Sequence, residues 1–180
     1  MIDTKEFEQM RKELEKADED REETIRTSRD IIKMSKQAIY GIHRGELPEK
    51  VIEKMRQKLD GLDDIPMART ARQEYVEAYT YLHFIKENKL ITKEETRVDT
   101  ESYLLGLCDL TGELMRKAVN EVINKNTDMV YKIKDLIAKL YSEILKFDLR
   151  NSELRKKSDS IKWNLSKVED IIYNLEMRSK

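Results

Sequence analysis

From Asp3 to Arg44 the chain sustains one helical pattern with no proline and a single glycine, Gly41. Phe7, Met10, Leu14 and Ala17, then Ile25, Ser28, Ile31, Ile32, Ala38, Ile39 and Ile42, recur at a period close to 3.5, the spacing of a helix that buries one stripe. The two halves of that helix face different surroundings. Residues 1–30 hold 11 Asp or Glu against 7 Lys or Arg and are thinly apolar, so this half is expected to project or to pair with a partner helix, whereas the second half joins a core. The remaining sequence is as poor in breakers: 5 Gly and 2 Pro in 180 residues, with no run that alternates at strand period. The chain therefore reads as all-α, a single-domain bundle of about six or seven helices over residues 1–180.

Gly45 and Pro48 end the long helix and begin a short one, Glu49 to Leu59. The turn-rich loop DGLDDIP leads to Pro66, which suits the first turn of a helix running to about Asn88. Residues 91–101 read as a helical turn plus loop, with Thr100 available to cap the next helix. A further helix spans Met129 to Phe147, and a closing one Asn151 to Met177. Leu154, Ser158, Ile161, Leu165, Val168, Ile172 and Leu175 form a heptad seam on the closing helix. Trp163 and Tyr173 lie off that seam, where interface aromatics are common, and Arg155, Lys156, Lys157, Lys162 and Lys167 give the helix a basic face. Either that face is simply solvated, or it draws in a phosphate backbone.

A net charge of −1 excludes the uniformly basic domain of a crude nucleic-acid binder, so any such site must be local. One cysteine cannot make an internal disulfide, and no stretch is apolar enough to be a leader or a membrane span. These features predict a cytoplasmic protein with no membrane association.

Chemistry concentrates on two stretches. In YLLGLCDLTGELMRKAVN, from Tyr103 to Asn120, an apolar stripe of Leu104, Leu107, Cys108, Leu114, Met115, Ala118 and Val119 sets the helix phase. Asp109 and Glu113 share a different face, with Gly112 beside them; a mid-helix glycine costs about 1 kcal/mol against alanine and marks a close approach of backbone or ligand. In RTARQEYVEAYTYLHFIK, Glu74 and Glu77 are a second pair, three residues apart. Four inward carboxylates repel one another unless a cation sits between them; four surface acids need no such ion. Carboxylates without histidine favour Mg²⁺ or Mn²⁺. His83, six residues beyond Glu77, points elsewhere and reads as structural, and Cys108 reads as a small core residue. Arg69, Arg72 and Arg116 lie near the acids, as salt-bridge partners or as grips for phosphate.

These residues carry a resemblance. QEYVEA, HFIK, YLLG, DLTGELMR and SRDIIKMSKQAIYGIHR are similar to the TRAX branch of the translin and TRAX family, and LRKKSDSIKWNLSKVEDIIYNLEMR is similar to the translin branch. The resemblance covers Arg21 to Arg178. It implies a translin-like helical fold, single-stranded RNA or DNA as partner, and a homo-oligomeric shell of six to eight subunits. It also implies a metal-dependent endoribonuclease centre at Glu74, Glu77, Asp109 and Glu113, holding Mg²⁺ or Mn²⁺. Two other readings are a translin-type protein that binds nucleic acid without cutting it, and a purely structural coiled-coil protein.

Overall fold

A computed structural model describes residues 2–150 and 152–178 and contains seven helices: α1 (Thr4–His43), α2 (Glu49–Leu59), α3 (Pro66–Glu87), α4 (Lys93–Thr96), α5 (Thr100–Ile123), α6 (Thr127–Ile144) and α7 (Glu153–Arg178). There is no strand among the described residues. At about 1.5 Å per residue, α1 is roughly 60 Å long, and the bundle covers only part of it. Residues 2–23 are exposed throughout, and burial begins at Thr24. Ile31, Ala38, Ile39 and Ile42 then enter the core.

The breakers act where the sequence places them. Gly45, at φ +85°, takes the left-handed conformation that closes α1, and Pro66 occupies the first turn of α3. Three local expectations need correction. The cap of α5 is Asp99, whose carboxylate accepts from the Ser102 amide at 2.8 Å, rather than Thr100, which is already helical. Helix α6 starts and ends two to three residues earlier than its apolar pattern suggested. Val119, expected in the buried stripe of α5, is exposed, and Leu105 and Leu110 take that role. Asn151, expected to open the last helix, lies outside the described residues.

Helix α3 packs on both α1 and α5; α7 lies across α5 and α6, and α2 across α1 and α3. The core is one cluster that runs through these contacts, from Ile31 on α1 to Val168 on α7. The heptad residues of α7 are buried at Leu154, Ser158, Ile161 and Val168 but only half-buried at Leu165, Ile172 and Leu175, while Trp163 and Tyr173 stand in solvent. No helix is long and apolar enough to cross a membrane among the described residues.

Helices α3 and α5 approach closely at Gly106. A Cβ there would sit 2.7 Å from the Gln73 carbonyl and from Val76, so only glycine lets α5 lie this close to α3. Gly112, the glycine singled out by its place among the acids, has only the Asn164 side chain near it, at 3.8 Å. Within the chain, the close backbone approach expected beside a mid-helix glycine falls at Gly106 rather than at Gly112.

Candidate metal and nucleic-acid site

The contact at Gly106 sets the geometry of everything beside it. Asp109 and Glu113 lie three and seven residues further along α5, and so share its face toward α3. Gln73, Glu74 and Glu77 flank the other side. The four expected acids are thus brought together at the junction of α1, α3 and α5, where Lys36, Ile39, Tyr40, Glu74, Glu77, Glu113 and Arg116 line a depression of about 320 Å³.

Each acid has a different environment. Glu77 is only 9% exposed, and neither a hydrogen bond nor an ion pair reaches its carboxylate among the described residues. Burial, reinforced by Asp109, Glu74 and Glu113, pushes its carboxyl up to about 9. Burial also raises Glu74, partly offset by the Lys36 ammonium. On α5 the acids are compensated. Asp109 accepts from the Lys157 ammonium at 2.7 Å and from the Gln73 amide. Glu113 accepts from His43 Nε2 at 2.5 Å and lies 3.6 Å from Arg116, and the hydrogen bond from His43 holds it below the ordinary carboxylate range.

His43 is fixed from both sides. Its Nδ1 lies 3.2 Å from the Tyr81 hydroxyl, which burial keeps protonated. A carboxylate only accepts, so in the neutral ring Nε2 carries the hydrogen and Nδ1 accepts from Tyr81. The carboxylate cluster, expected to be without histidine, does include one, but both ring nitrogens of His43 are engaged.

The cations are distributed differently from expectation. Arg116 is with the acids. Arg69 and Arg72 are not: both bind Asp64, at 2.8 and 3.1 Å, and Arg72 also donates to the Leu62 carbonyl. They line a separate groove with Asp99, Glu101 and Ser102. Lys157, counted among the basic residues of α7, instead reaches into the acid cluster. His83 Nδ1 donates to the Lys89 carbonyl at 3.1 Å and its Nε2 lies 3.5 Å from the Glu87 carboxylate, as a structural residue would. Buried Cys108 has its thiol pushed up to about 12 by burial and then by Asp109, which leaves it unreactive.

Sequence reasoning missed His43, Gln73 and Lys157. Their partners lie 70, 36 and 48 residues away, and no helical period reports contacts of that range. The nearest signal was the break at Gly41–Gly45, which sets His43 at the end of α1.

As the side chains stand, no group of three or more His, Cys, Asp or Glu among the described residues is arranged to hold a metal ion. The reason is visible: Asp109 is turned to Lys157 and Glu113 to His43. The donor set nonetheless fits a hard divalent cation. It consists of carboxylate oxygens without a reactive thiol, and it includes one buried carboxyl, Glu77, that no ion pair or hydrogen bond reaches among the described residues.

Comparison with known proteins agrees with this architecture. The Translin family model matches residues 19–179. Rat translin-associated protein X is 28% identical, the match covering 96% of this chain and 78% of that protein. The crystal structure of apo-NeC3PO superposes with a TM-score of 0.88 at 30% identity, covering 96% of this chain and 97% of the other. AfC3PO in complex with duplex RNA has the same fold, with a TM-score of 0.81, 23% identity and coverage of 96% and 97%. A family match over nearly the whole chain, on a fold that superposes end to end, shows that this protein belongs to the Translin family.

Proposed function

We infer that the chain is a metal-dependent endoribonuclease acting on single-stranded RNA within a homo-oligomeric shell. The observation that carries this reading is Glu77, a carboxyl held at the meeting of three helices among three other acids, with no ion pair among the described residues and only a partial offset from the Lys157 ammonium. A purely structural core gains nothing from that arrangement, because an uncompensated buried carboxyl costs stability. Glu74 and Glu77, with Asp109 and Glu113, would hold Mg²⁺ or Mn²⁺. When bound there, such an ion supplies an acidified water and neutralises charge on the phosphodiester.

The chain's own residues do the rest. His43, held by Tyr81, orients and keeps ionised the Glu113 carboxylate, as outer-shell partners of metal ligands do. Lys157 holds Asp109, and its ammonium must yield or share that oxygen as the site fills. Arg116 stands at the rim, half exposed, where a phosphate can reach it. The exposed apolar residues Phe7, Met10 and Leu14, at 53%, 44% and 67% exposure on the first half of α1, which no other helix among the described residues covers, support assembly through α1 into the shell.

A binding-only function is the second reading, favoured by the pairing of two of the four acids with Lys157 and His43. Labelled single-stranded RNA incubated with Mn²⁺ or with chelator separates the two. Cleavage with Mn²⁺ that chelator abolishes supports the nuclease; retention of intact RNA under both conditions supports the binder. Light scattering that returned a stable monomer would remove the shell.

A further inference from the structure

We propose that a stripe along the second half of α1, Arg29, Lys33, Lys36, Tyr40 and Arg44, is the track that leads an RNA single strand into the carboxylate cluster, with Tyr40 as the platform on which a base stacks. The proposal rests on the functional reading above and extends it to residues outside the acid cluster.

The five positions are separated by 4, 3, 4 and 4 residues and at about 100° per residue fall within about 80° of one another. All five are exposed. They cover about 22 Å at 1.5 Å per residue, opposite the face that buries Ile31, Ala38 and Ile42. Although the chain carries as many acids as bases, Arg29, Lys33 and Lys36 have no ion pair among the described residues. Asp30, the acid nearest the stripe in sequence, is engaged by Lys58 at 3.3 Å.

The stripe is continuous with the site. Arg29, Lys33, Lys36, Tyr40 and Arg44 line one groove, and Lys36 and Tyr40 also line the depression that holds Glu74, Glu77 and Glu113. Tyr40 is 54% exposed, with the Arg44 and Arg116 guanidinium groups 4.9 and 5.8 Å from its ring centre. An exposed aromatic between arginines, beside unpaired cations, is the combination that binds single strands: bases stack on the ring while cations hold phosphates. A duplex keeps its bases stacked inside and cannot use the ring, so the track favours single strands.

The test is fluorescence anisotropy of a labelled single-stranded RNA in EDTA, which reads binding without chemistry. Tyr40→Ala should weaken binding about tenfold, and Tyr40→Phe should restore it. Lys33→Ala with Lys36→Ala should lower the slope of log affinity against log salt by about 1.4, while Lys132→Ala with Lys139→Ala on the exposed side of α6 changes neither. Wild-type affinity in the Tyr40→Ala and double-lysine proteins would overturn the track. So would a loss of binding accompanied by a change in oligomer size, which assigns the stripe to subunit contacts. The functional reading fails separately, on wild-type protein that binds RNA and does not cut it with Mn²⁺.

Discussion

The acids of α3 and the acids of α5 meet at one junction, with Glu74, Glu77 and Glu113 lining its depression and Asp109 acting on Glu77 from beside it, and they differ in who neutralises them. Asp109 and Glu113 draw their cations from the chain itself, Lys157 from α7 and His43 from the end of α1. Glu74 and Glu77 make no ion pair among the described residues; Lys36 and Lys157 only partly offset Glu74, Lys157 only partly offsets Glu77, and burial drives both upward. A cluster built only for stability would pair all four or bury none. One compensated half beside one uncompensated half is the layout of a site in which an external cation completes the charge balance.

The largest effect should come from Glu77→Gln. It removes a ligand from the uncompensated half, so Mn²⁺-dependent cleavage should fall by more than the roughly 10–100-fold that losing an outer-shell partner costs. Stability should move the other way. Unfolded Glu77 ionises near 4.5 and folded Glu77 near 9, so between those values the native state keeps a proton that the unfolded state releases. The wild type therefore loses stability as pH rises through that window. In metal-free buffer the variant should melt higher at pH 8, by on the order of a few kcal/mol, and this gain should vanish toward pH 4.5. Thermal melts across that range check it. The same substitution at Glu113 should have the opposite sign, because there the folded carboxyl is held low by His43, and its ionised form stabilises the native state above the usual carboxylate range.

How much of this was readable beforehand follows from distance along the chain. Helices α1, α2 and α3 appear within a residue or so of their expected ends, because Gly45, Pro48 and Pro66 act locally and the apolar periods are long. The pairing of Glu74 with Glu77, and of Asp109 with Glu113, is also local, since i to i+3 or i+4 spacing fixes a face. Which cation answers which acid is not local. Lys157 looks like any other lysine of a basic helix until α7 docks on α5. Arg69 and Arg72 looked like neighbours of the acids until Asp64 in the preceding loop engaged them.

Next in size is His43→Gln, which removes the support of Glu113 while leaving all four acids in place. It should weaken Mn²⁺ binding by about 10–100-fold and cost about 1–3 kcal/mol of stability; titration calorimetry and melting measure the two effects. Lys157→Met should act on metal in the other direction. Freed of its ammonium, Asp109 should hold Mn²⁺ several times more tightly, at a stability cost of about 1 kcal/mol for this partly exposed pair. If both variants shifted Mn²⁺ affinity in one direction, the account of a self-compensated α5 half would be wrong.

The smallest contrast concerns the two glycines of α5. Gly106→Ala should destabilise by about 1–3 kcal/mol, because its Cβ meets the α3 backbone. Gly112→Ala, with room for the methyl group, should be neutral or stabilising by up to about 1 kcal/mol. Chemical denaturation of both proteins reads the difference, and equal losses would mean that the α3–α5 contact is not what Gly106 permits.

The central claim, that the α3 half awaits a divalent cation, is tested most directly by counting protons. Mn²⁺ binding measured by calorimetry at pH 7.5, in buffers of different ionisation enthalpy, should release about one proton per ion from wild-type protein, because Glu77 must ionise to take part. Glu77→Gln should bind more weakly and release none. Absence of Mn²⁺ binding, or an identical proton count and affinity in the two proteins, would contradict the claim.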